Sequence, residues 1–296
     1  MDTTIFFGNG VNLIGNNGVS WDKLLESISQ RKQLLSISSY TLRYESIVVP
    51  MNEITPAVLR DKYGRRFLDR DGKVLCTSEN TETFVLKQKI ANMLDEIEPS
   101  YYYQKLADLN ANHYVTTNYE LSLVQEFKTR KNEIDCIDDK SPLFKHFIIH
   151  KDGKMSSIWN IHGDIVHPQS IIIGYADYSN YTAKVHRILE TNRRLKKSWI
   201  NLILNTNVHI LGYGLAIDET DMWDILVYRA RMIRHTGKQS NEIIYYLIYE
   251  GKRKKEMRMK RLLLESLKVT VVVIPYEGSF EHAYQIIYKR IKDTMK

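Results

Sequence analysis

The stretch Thr4-Ile5-Phe6-Phe7-Gly8-Asn9-Gly10-Val11-Asn12 decides how this chain is read. Residues 4–7 form a short, nearly continuous apolar run, the pattern of a strand whose two faces are both covered by helices. The run stops at Gly8. Gly8 and Gly10 then remove two side chains from the turn, so that backbone can approach an anionic phosphate group and a following helix can direct its amides and positive dipole end toward it. Without the third glycine of a dehydrogenase fingerprint, this Gly-x-Gly loop is a weak motif taken alone. Its meaning comes from what repeats downstream.

Five further apolar runs, at residues 113–116, 157–161, 208–211, 243–249 and 269–274, bring the number of strands to about six. Helical periodicity separates most of them, over residues 21–29, 83–96, 101–109, 120–129, 178–204, 219–233, 253–267 and 279–292. Strands alternating with helices predict an α/β fold with a doubly wound parallel sheet. Two stretches break the alternation and read as insertions with small helical elements. Residues 34–80 carry turn signals at Tyr63-Gly64 and Asp71-Gly72, with a hairpin between Phe67 and Leu75, and residues 131–153 are charged and turn-rich. A chain of 296 residues buries roughly 75% of its unfolded surface and needs no staple. Residues 1–296 are therefore read as one domain, with no repeat or low-complexity tract.

Three more strand ends carry polar or glycine-rich segments: Thr116-Thr117-Asn118-Tyr119-Glu120, Ile161-His162-Gly163 and Leu211-Gly212-Tyr213-Gly214-Leu215. Open α/β sheets bind ligands at the carboxyl ends of their strands, so the four segments would converge on one crevice. Asn118 opens a helix and could simply cap it. His162 precedes a glycine that frees the backbone for a sharp turn, and a neutral imidazole there can accept a proton. Asp218 and Asp221 start a helix, where favourable interaction with the dipole is their default explanation. Asp177 is read as an N-cap, and the tryptophans at 21, 159, 199 and 223 as packing residues.

In their order and residue types these segments resemble the bacterial sirtuin-like proteins of anti-phage defence, which break NAD down instead of deacylating lysine. Gly8-Asn9-Gly10-Val11-Asn12 is similar to that family's Gly-x-Gly-x-Ser/Asn loop, and Ser20-Trp21-Asp22-Lys23-Leu24-Leu25 to the Ser-Trp-x-x-Leu-Leu that follows it. Thr116-Thr117-Asn118-Tyr119-Glu120 resembles Thr-Thr-Asn-Tyr-Asp, with Glu where Asp is usual. His162-Gly163 matches the His-Gly step, and Gly212-Tyr213-Gly214-Leu215 with Asp218 resembles the Gly-Tyr-Ser-Leu loop and its acidic residues. The resemblance, spanning Ile5 to about Tyr276, implies a Rossmann-like sheet and NAD as the substrate. It implies Asn118 beside the nicotinamide ribose and His162 as the base, with Gly8, Asn9, Gly10, Asn12, Thr117, Glu120, Gly212, Tyr213, Gly214 and Leu215 around the cofactor. Glu250 and Tyr276, beyond the last two strands, would flank the adenosine.

On this resemblance the chain is expected to be an NAD glycohydrolase releasing nicotinamide and ADP-ribose or a cyclic product. The alternative is a sensor or scaffold that binds NAD or ADP-ribose without turnover. Breaking the bond to nicotinamide passes through an oxocarbenium-like transition state with a neutral leaving group, so a dipolar environment and a positioned nucleophile matter more than a strong acid. The two cysteines, Cys76 and Cys136, cannot build a four-thiolate zinc module, so no metal is expected and a deacylase reading is disfavoured. An unregulated NAD hydrolase would starve its own cell, so control is expected from homo-oligomer assembly or a separately encoded sensor or ATPase subunit.

The formal net charge of +7, from 42 basic and 35 acidic residues, is modest for this length. Its excess gathers in residues 193–197 and 252–261, neither interleaved with the aromatics that single-strand binders stack on, so direct nucleic-acid binding is not expected. The amino end lacks the basic and apolar regions of a signal peptide, and no apolar run approaches the ~20 residues of a membrane helix. The sequence reads as cytoplasmic.

Overall fold

The structure is a computed structural model that describes residues 1–14, 19–28, 39–48, 81–96, 98–239, 241–249 and 254–295. At its centre lies strand β1, Thr3–Phe7, paired in parallel with β2, His113–Thr116, on one side and β6, Asn207–Leu211, on the other. Beyond β2 lies β5, Lys154–Asn160, and beyond β6 lie β7, Ile243–Tyr249, and β8, Thr270–Pro275, all parallel. These are the six expected strands. The chain builds one half of the sheet outward from β1, then crosses back to build the other half from β6, so the two halves diverge between β1 and β6. That is the topological switch point at which doubly wound sheets bind ligands.

The register explains why four distant segments can meet. Phe7 aligns with Thr116 on one side and Leu211 on the other, and Thr116 aligns with Asn160. The loops that follow β5, β2, β1 and β6 therefore leave the sheet from a single row.

Among the described residues the sheet has eight strands, against about six expected from the sequence. Residues 131–153 were expected to be an insertion with small helical elements; they instead form β3, Glu133–Ile137, and β4, His146–Lys151, which extend the sheet antiparallel beyond β5. Charge hides these strands in the sequence because β3 is an edge strand with mostly exposed side chains, a common way of blunting an edge. A turn signal was present: Asp152 and Gly153 both adopt positive φ, 49° and 75°, as a two-residue type I′ hairpin between β4 and β5 requires.

Two helix-rich layers cover the sheet. On one face lie α6, Tyr175–Thr191, α7, Ile200–Asn205, α8, Thr220–Thr236, and α9, Lys254–Ser266. They bury Val185, Ile200, Met222, Ile225 and Leu264 against Phe6, Val115, Ile210 and Tyr245. On the other face α4, Tyr102–Asp108, α5, Ser122–Thr129, and α10, Phe280–Thr294, pack Leu106, Phe127 and Ile287 onto Ile5, Phe7, Tyr114 and Ile274. Alternate residues of β1 thus supply both cores, as the period of two demands.

Residues 178–204 were read as one helix but are divided between α6 and α7. Asn192 takes the left-handed conformation with φ of 54°, an αL terminus that asparagine tolerates, and Arg194 follows with φ of 59°. Asp177 is the third residue of α6, where its carboxylate accepts the N–H of Gly174, the residue at the N-cap. A third cluster caps the sheet's carboxyl edge. There α1, Trp21–Ile28, α2, Tyr40–Val48, and α3, Thr81–Asp95, gather Leu25, Tyr44, Val48, Leu86 and Ile90 around Tyr119, Ile171 and Ile173. The hairpin expected between Phe67 and Leu75 lies outside the described residues, as do Cys76 and Glu250.

Candidate functional site

The loops after β1 and β6 touch. Gly8 N donates to Leu211 O at 3.3 Å and Gly10 N to Gly212 O at 2.8 Å. A Cβ on Gly10 would lie 2.5 Å from Tyr284 Oη and 2.7 Å from Gly212 Cα, and one on Gly8 2.9 Å from Gly212 O. The small size of these glycines is therefore used to pack one loop on the other. Gly212, with φ of 61°, is fixed by the same contact. Gly214 differs: a Cβ there would meet open space, and its carbonyl accepts Lys260 Nζ from α9. Tyr213 is buried against the Phe6 ring and receives the Tyr245 hydroxyl on its carbonyl at 2.6 Å. Leu215 is buried with φ of 44°.

At the end of β2 a connected polar cluster forms. The Tyr103 hydroxyl, from α4, donates to Glu120 Oε1 at 2.6 Å and lies 2.8 Å from Asn12 Oδ1. Asn12 Nδ2 reaches Glu120 Oε1 at 2.8 Å and Asn9 Oδ1 at 3.0 Å, and Asn118 Nδ2 donates to the Tyr103 hydroxyl at 3.2 Å. Burial pushes the Glu120 carboxyl above the ordinary carboxylate range, against the opposing pull of its hydrogen bonds from Tyr103 and Asn12. Burial, then the neighbouring Glu120, raises the Tyr103 phenol well above its ordinary value.

Asn118 is buried with its backbone N–H tied to Thr116 Oγ1 at 3.0 Å, yet its Oδ1 has no hydrogen-bond partner among the described residues. Buried polar atoms are nearly always paired, so an orphan here marks a group held for something else. Asn160, at the end of β5, donates through Nδ2 to the carbonyls of Asn118 and Glu120, at 2.9 and 3.2 Å, and its own Oδ1 is likewise unpartnered. A water-sized cavity of about 10 Å³ is lined by Asn9, Trp21, Asn118, Tyr119 and Glu120. Thr117 is buried between these residues in the sequence.

Hydrogen bonds join the Asn118 segment to that of His162. Tyr119 Oη donates to Ile172 O at 2.7 Å, Ile172 N to His162 O at 2.8 Å, and Ile165 N to Tyr119 O at 3.0 Å. Gly163, with φ of 90°, passes so close to the chain that a Cβ would lie 2.2 Å from Ser170 O. Only glycine fits this turn. His162 itself is 1% exposed, with its ring edge-on to Tyr178 and Tyr181. Its Nε2 lies 2.9 Å from Asp221 Oδ2 and its Nδ1 3.2 Å from the Tyr178 hydroxyl, which also receives the Tyr40 hydroxyl at 2.7 Å.

Asp221 is the functional candidate that sequence reading passed over as a dipole-favoured residue. It is fully buried in the first turn of α8, and its Oδ1 is unpartnered. A signal was available, since Asp221 falls in register with Met222, Ile225, Leu226 and Arg229, the buried face of the helix. Glu219, just before the helix, is also buried; burial and then the Asp221 charge push its carboxyl up to about 8. Asp218 instead accepts the Ser39 hydroxyl at 2.8 Å. Tyr276 stands at the end of the edge strand β8, partly exposed, its hydroxyl turned to Gly278 O. No cluster of three or more His, Cys, Asp or Glu side chains suited to a metal occurs among the described residues.

An open α/β sheet of this strand order, with polar loops gathered at its switch point, belongs to the doubly wound, Rossmann-like class of folds. Residues 112–272, more than half of the chain, match the model of the SIR2-like domain. The chain belongs to the SIR2-like domain family. No curated protein matches it.

Proposed function

We propose that this chain is an NAD glycohydrolase, with Asn118 and His162 at the bond to nicotinamide. The observation that carries the reading is the orphan Asn118 Oδ1 in an otherwise connected, buried cluster beside the switch point of a SIR2-like domain. That atom, together with the open space above Gly214, fits a dinucleotide laid across the crevice. The loops carrying Asn9, Asn12 and Gly212 to Leu215 would hold its diphosphate and adenosine half. Asn118, Thr117 and Glu120 would hold the nicotinamide ribose. NAD contributes a glycosidic bond to a neutral leaving group, so the protein need not supply a strong acid.

The work left to the protein is positioning and proton management. The Asn118 carboxamide orients a hydroxyl or a water without adding charge, and the backbone of residues 118–120 is stiffened by the hydrogen bonds from Asn160 to the Asn118 and Glu120 carbonyls and by the tether to Thr116. Glu120, its proton affinity raised by burial, provides a carboxyl whose lone pairs are steered by Tyr103 and Asn12. His162 accepts the proton released as water or a ribose hydroxyl attacks. Tyr119 packs beneath α1 to α3 and helps close the site to solvent.

The wider reading is a cytoplasmic effector of anti-phage defence, formed by residues 1–296 as one catalytic unit. Its activity would be governed by self-assembly or by a separately encoded sensor or ATPase subunit. A non-catalytic NAD- or ADP-ribose-binding subunit is the second reading, and one observation favours it: both ring nitrogens of His162 are already hydrogen-bonded. Nicotinamide release from NAD by the purified protein, alone and with the products of neighbouring genes, decides between them. Asn118→Ala or His162→Ala should each lower turnover at least ~100-fold, the lower range for loss of an acid-base group. Near-normal turnover by both folded variants would sink the assignment. Tight NAD binding with no release under any condition would establish the sensor.

A further inference from the structure

The contacts of His162 fix the direction of a hydrogen-bond chain. Tyr40 donates its hydroxyl proton to Tyr178 Oη at 2.7 Å, so the Tyr178 proton is free to turn toward His162 Nδ1, 3.2 Å away. Nδ1 is then an acceptor, and the remaining nitrogen, Nε2, carries the proton that lies against Asp221 Oδ2 at 2.9 Å. Tyr178 comes from α6 and Asp221 from α8, with Tyr40 of α2 behind Tyr178, so three separate elements are linked to the imidazole that follows β5. Among the described residues Asp221 has no Lys or Arg partner: its Oδ2 is hydrogen-bonded to the histidine, and its Oδ1 has no hydrogen-bond partner. A fully buried carboxylate held this way is costly, and a helix-capping role would not require its burial.

We propose that Asp221 is the positioning residue of His162: it holds the proton on Nε2, keeps Nδ1 as the basic nitrogen, and compensates the imidazolium formed when Nδ1 takes a proton. This rests on the glycohydrolase reading. The step balances simply. A water or ribose hydroxyl loses its proton to Nδ1 as its oxygen bonds to the anomeric carbon, and the electron pair of the broken glycosidic bond leaves with nicotinamide. The Tyr178 hydroxyl, which occupies Nδ1 in this structure, gives way to that donor. No proton moves to Asp221, whose charge is matched by the cation beside it, the logic by which a buried aspartate serves the histidine of hydrolytic triads.

Three measurements test this, and the first needs no turnover. Nitrogen-15 NMR of histidine-labelled protein, with the His162 resonances identified by their loss in His162→Gln, reports which ring nitrogen bears the proton. Wild type should show it on Nε2. In Asp221→Asn the carboxamide N–H can donate to Nε2, and the proton should shift to Nδ1. Second, Asp221→Asn should lower kcat for NAD cleavage by ~10²–10⁴-fold, the range set by loss of the correct tautomer, with KM changed less than about threefold. Third, combining Asp221→Asn with His162→Ala should cost no more than His162→Ala alone, because the aspartate acts only through the histidine.

A proton on Nδ1 in wild type, additive losses in the double variant, or wild-type turnover by folded Asp221→Asn would each overturn the proposal. If Asp221→Asn fails to fold, the wild-type spectrum decides alone, and Asp221→Glu tests whether a displaced carboxylate retains the tautomer but lowers kcat. Should wild type cleave no NAD, the glycohydrolase reading falls, while the spectra still decide whether Asp221 sets the tautomer.

Discussion

Glu219→Gln should make the stability of this protein less dependent on pH, and by an amount the structure bounds. Glu219 sits at the amino end of α8 and is buried, with Oε2 2.5 Å from Ala216 N and the Asp221 carboxylate two residues away. Burial, and then Asp221, raise it from 4.5 to about 8. At ~1.4 kcal/mol per unit, a rise of that size caps the effect at about 5 kcal/mol. The sign follows from which state holds the proton more tightly. Below the unfolded value near 4.5 both states are protonated and the stabilisation is complete; between there and about 8 only the unfolded chain releases the proton, so stability falls; above 8 it is flat again. Glutamine keeps the amide hydrogen bond and has nothing to release. The variant should therefore gain on wild type steadily from pH 5 to pH 8 and no further, reaching a lead of ~3–10 °C in Tm at roughly 2 °C per kcal/mol for a chain of this size. Thermal melts of both proteins across pH 5 to 9 measure it. A gap that stays constant, or narrows as pH rises, would refute the assignment of a neutral Glu219 at pH 7.

Two further perturbations probe the frame around the site. Lys145 and Asp164 form a buried ion pair at 2.6 Å beneath the loop that follows His162, so Lys145→Met should strand a carboxylate and cost about 3–5 kcal/mol in denaturant unfolding, whereas pairing it with Asp164→Asn should restore much of the loss. Gly163→Ala should abolish folding or lower Tm severely, because its Cβ would lie 2.2 Å from Ser170 O; Gly153→Ala, also at positive φ but facing open space, should cost only about 1–2 kcal/mol in the same assay.

The parallel half of this fold could be read directly because buried strands announce themselves. Strands β2 and β7 fall on the residues expected from continuous apolar runs, and β1, β6 and β8 within a residue or so, since the central strands are covered by helices on both faces and even the edge strand β8 keeps a continuous apolar run. The antiparallel extension lacks that constraint. In β3 only Ile134 among the apolar side chains packs toward a core, while Cys136 and Ile137 are exposed, so the brief alternation in Glu133-Ile134-Asp135-Cys136-Ile137 is too short to stand out from its charged, turn-rich surroundings. Pairing with β4 and the Asp152-Gly153 turn supply the rest of its definition. The break between α6 and α7 is similarly hidden: it starts with the left-handed Asn192 and Arg194, at positions that the apolar periodicity does not mark.

The four polar segments read from the sequence lie at strand ends, and the register of the sheet brings those ends into line. A row running Asn160, Thr116, Phe7, Leu211 aligns the last residue of each strand without any side-chain contact having to be known. Pairings between side chains are a different matter. Tyr103 is central to the cluster around Asn118 and Glu120, yet it comes from the helix before β2 and has no motif of its own. Asp221 did leave a trace: a carboxylate in register with the apolar face of α8 must be buried, and a buried carboxylate needs a partner. Arg229 lies two turns further along the same face and is the cation that the helix pattern alone would pair with it. It is instead held by Asn241 and by the carbonyl of Lys268, far from the first turn. With the arginine already satisfied, the hydrogen-bond partner left to Asp221 among the described residues is His162. The acidic residue at the head of α8 is thereby tied to the end of β5, across 59 residues of sequence, by a requirement that neither segment states alone.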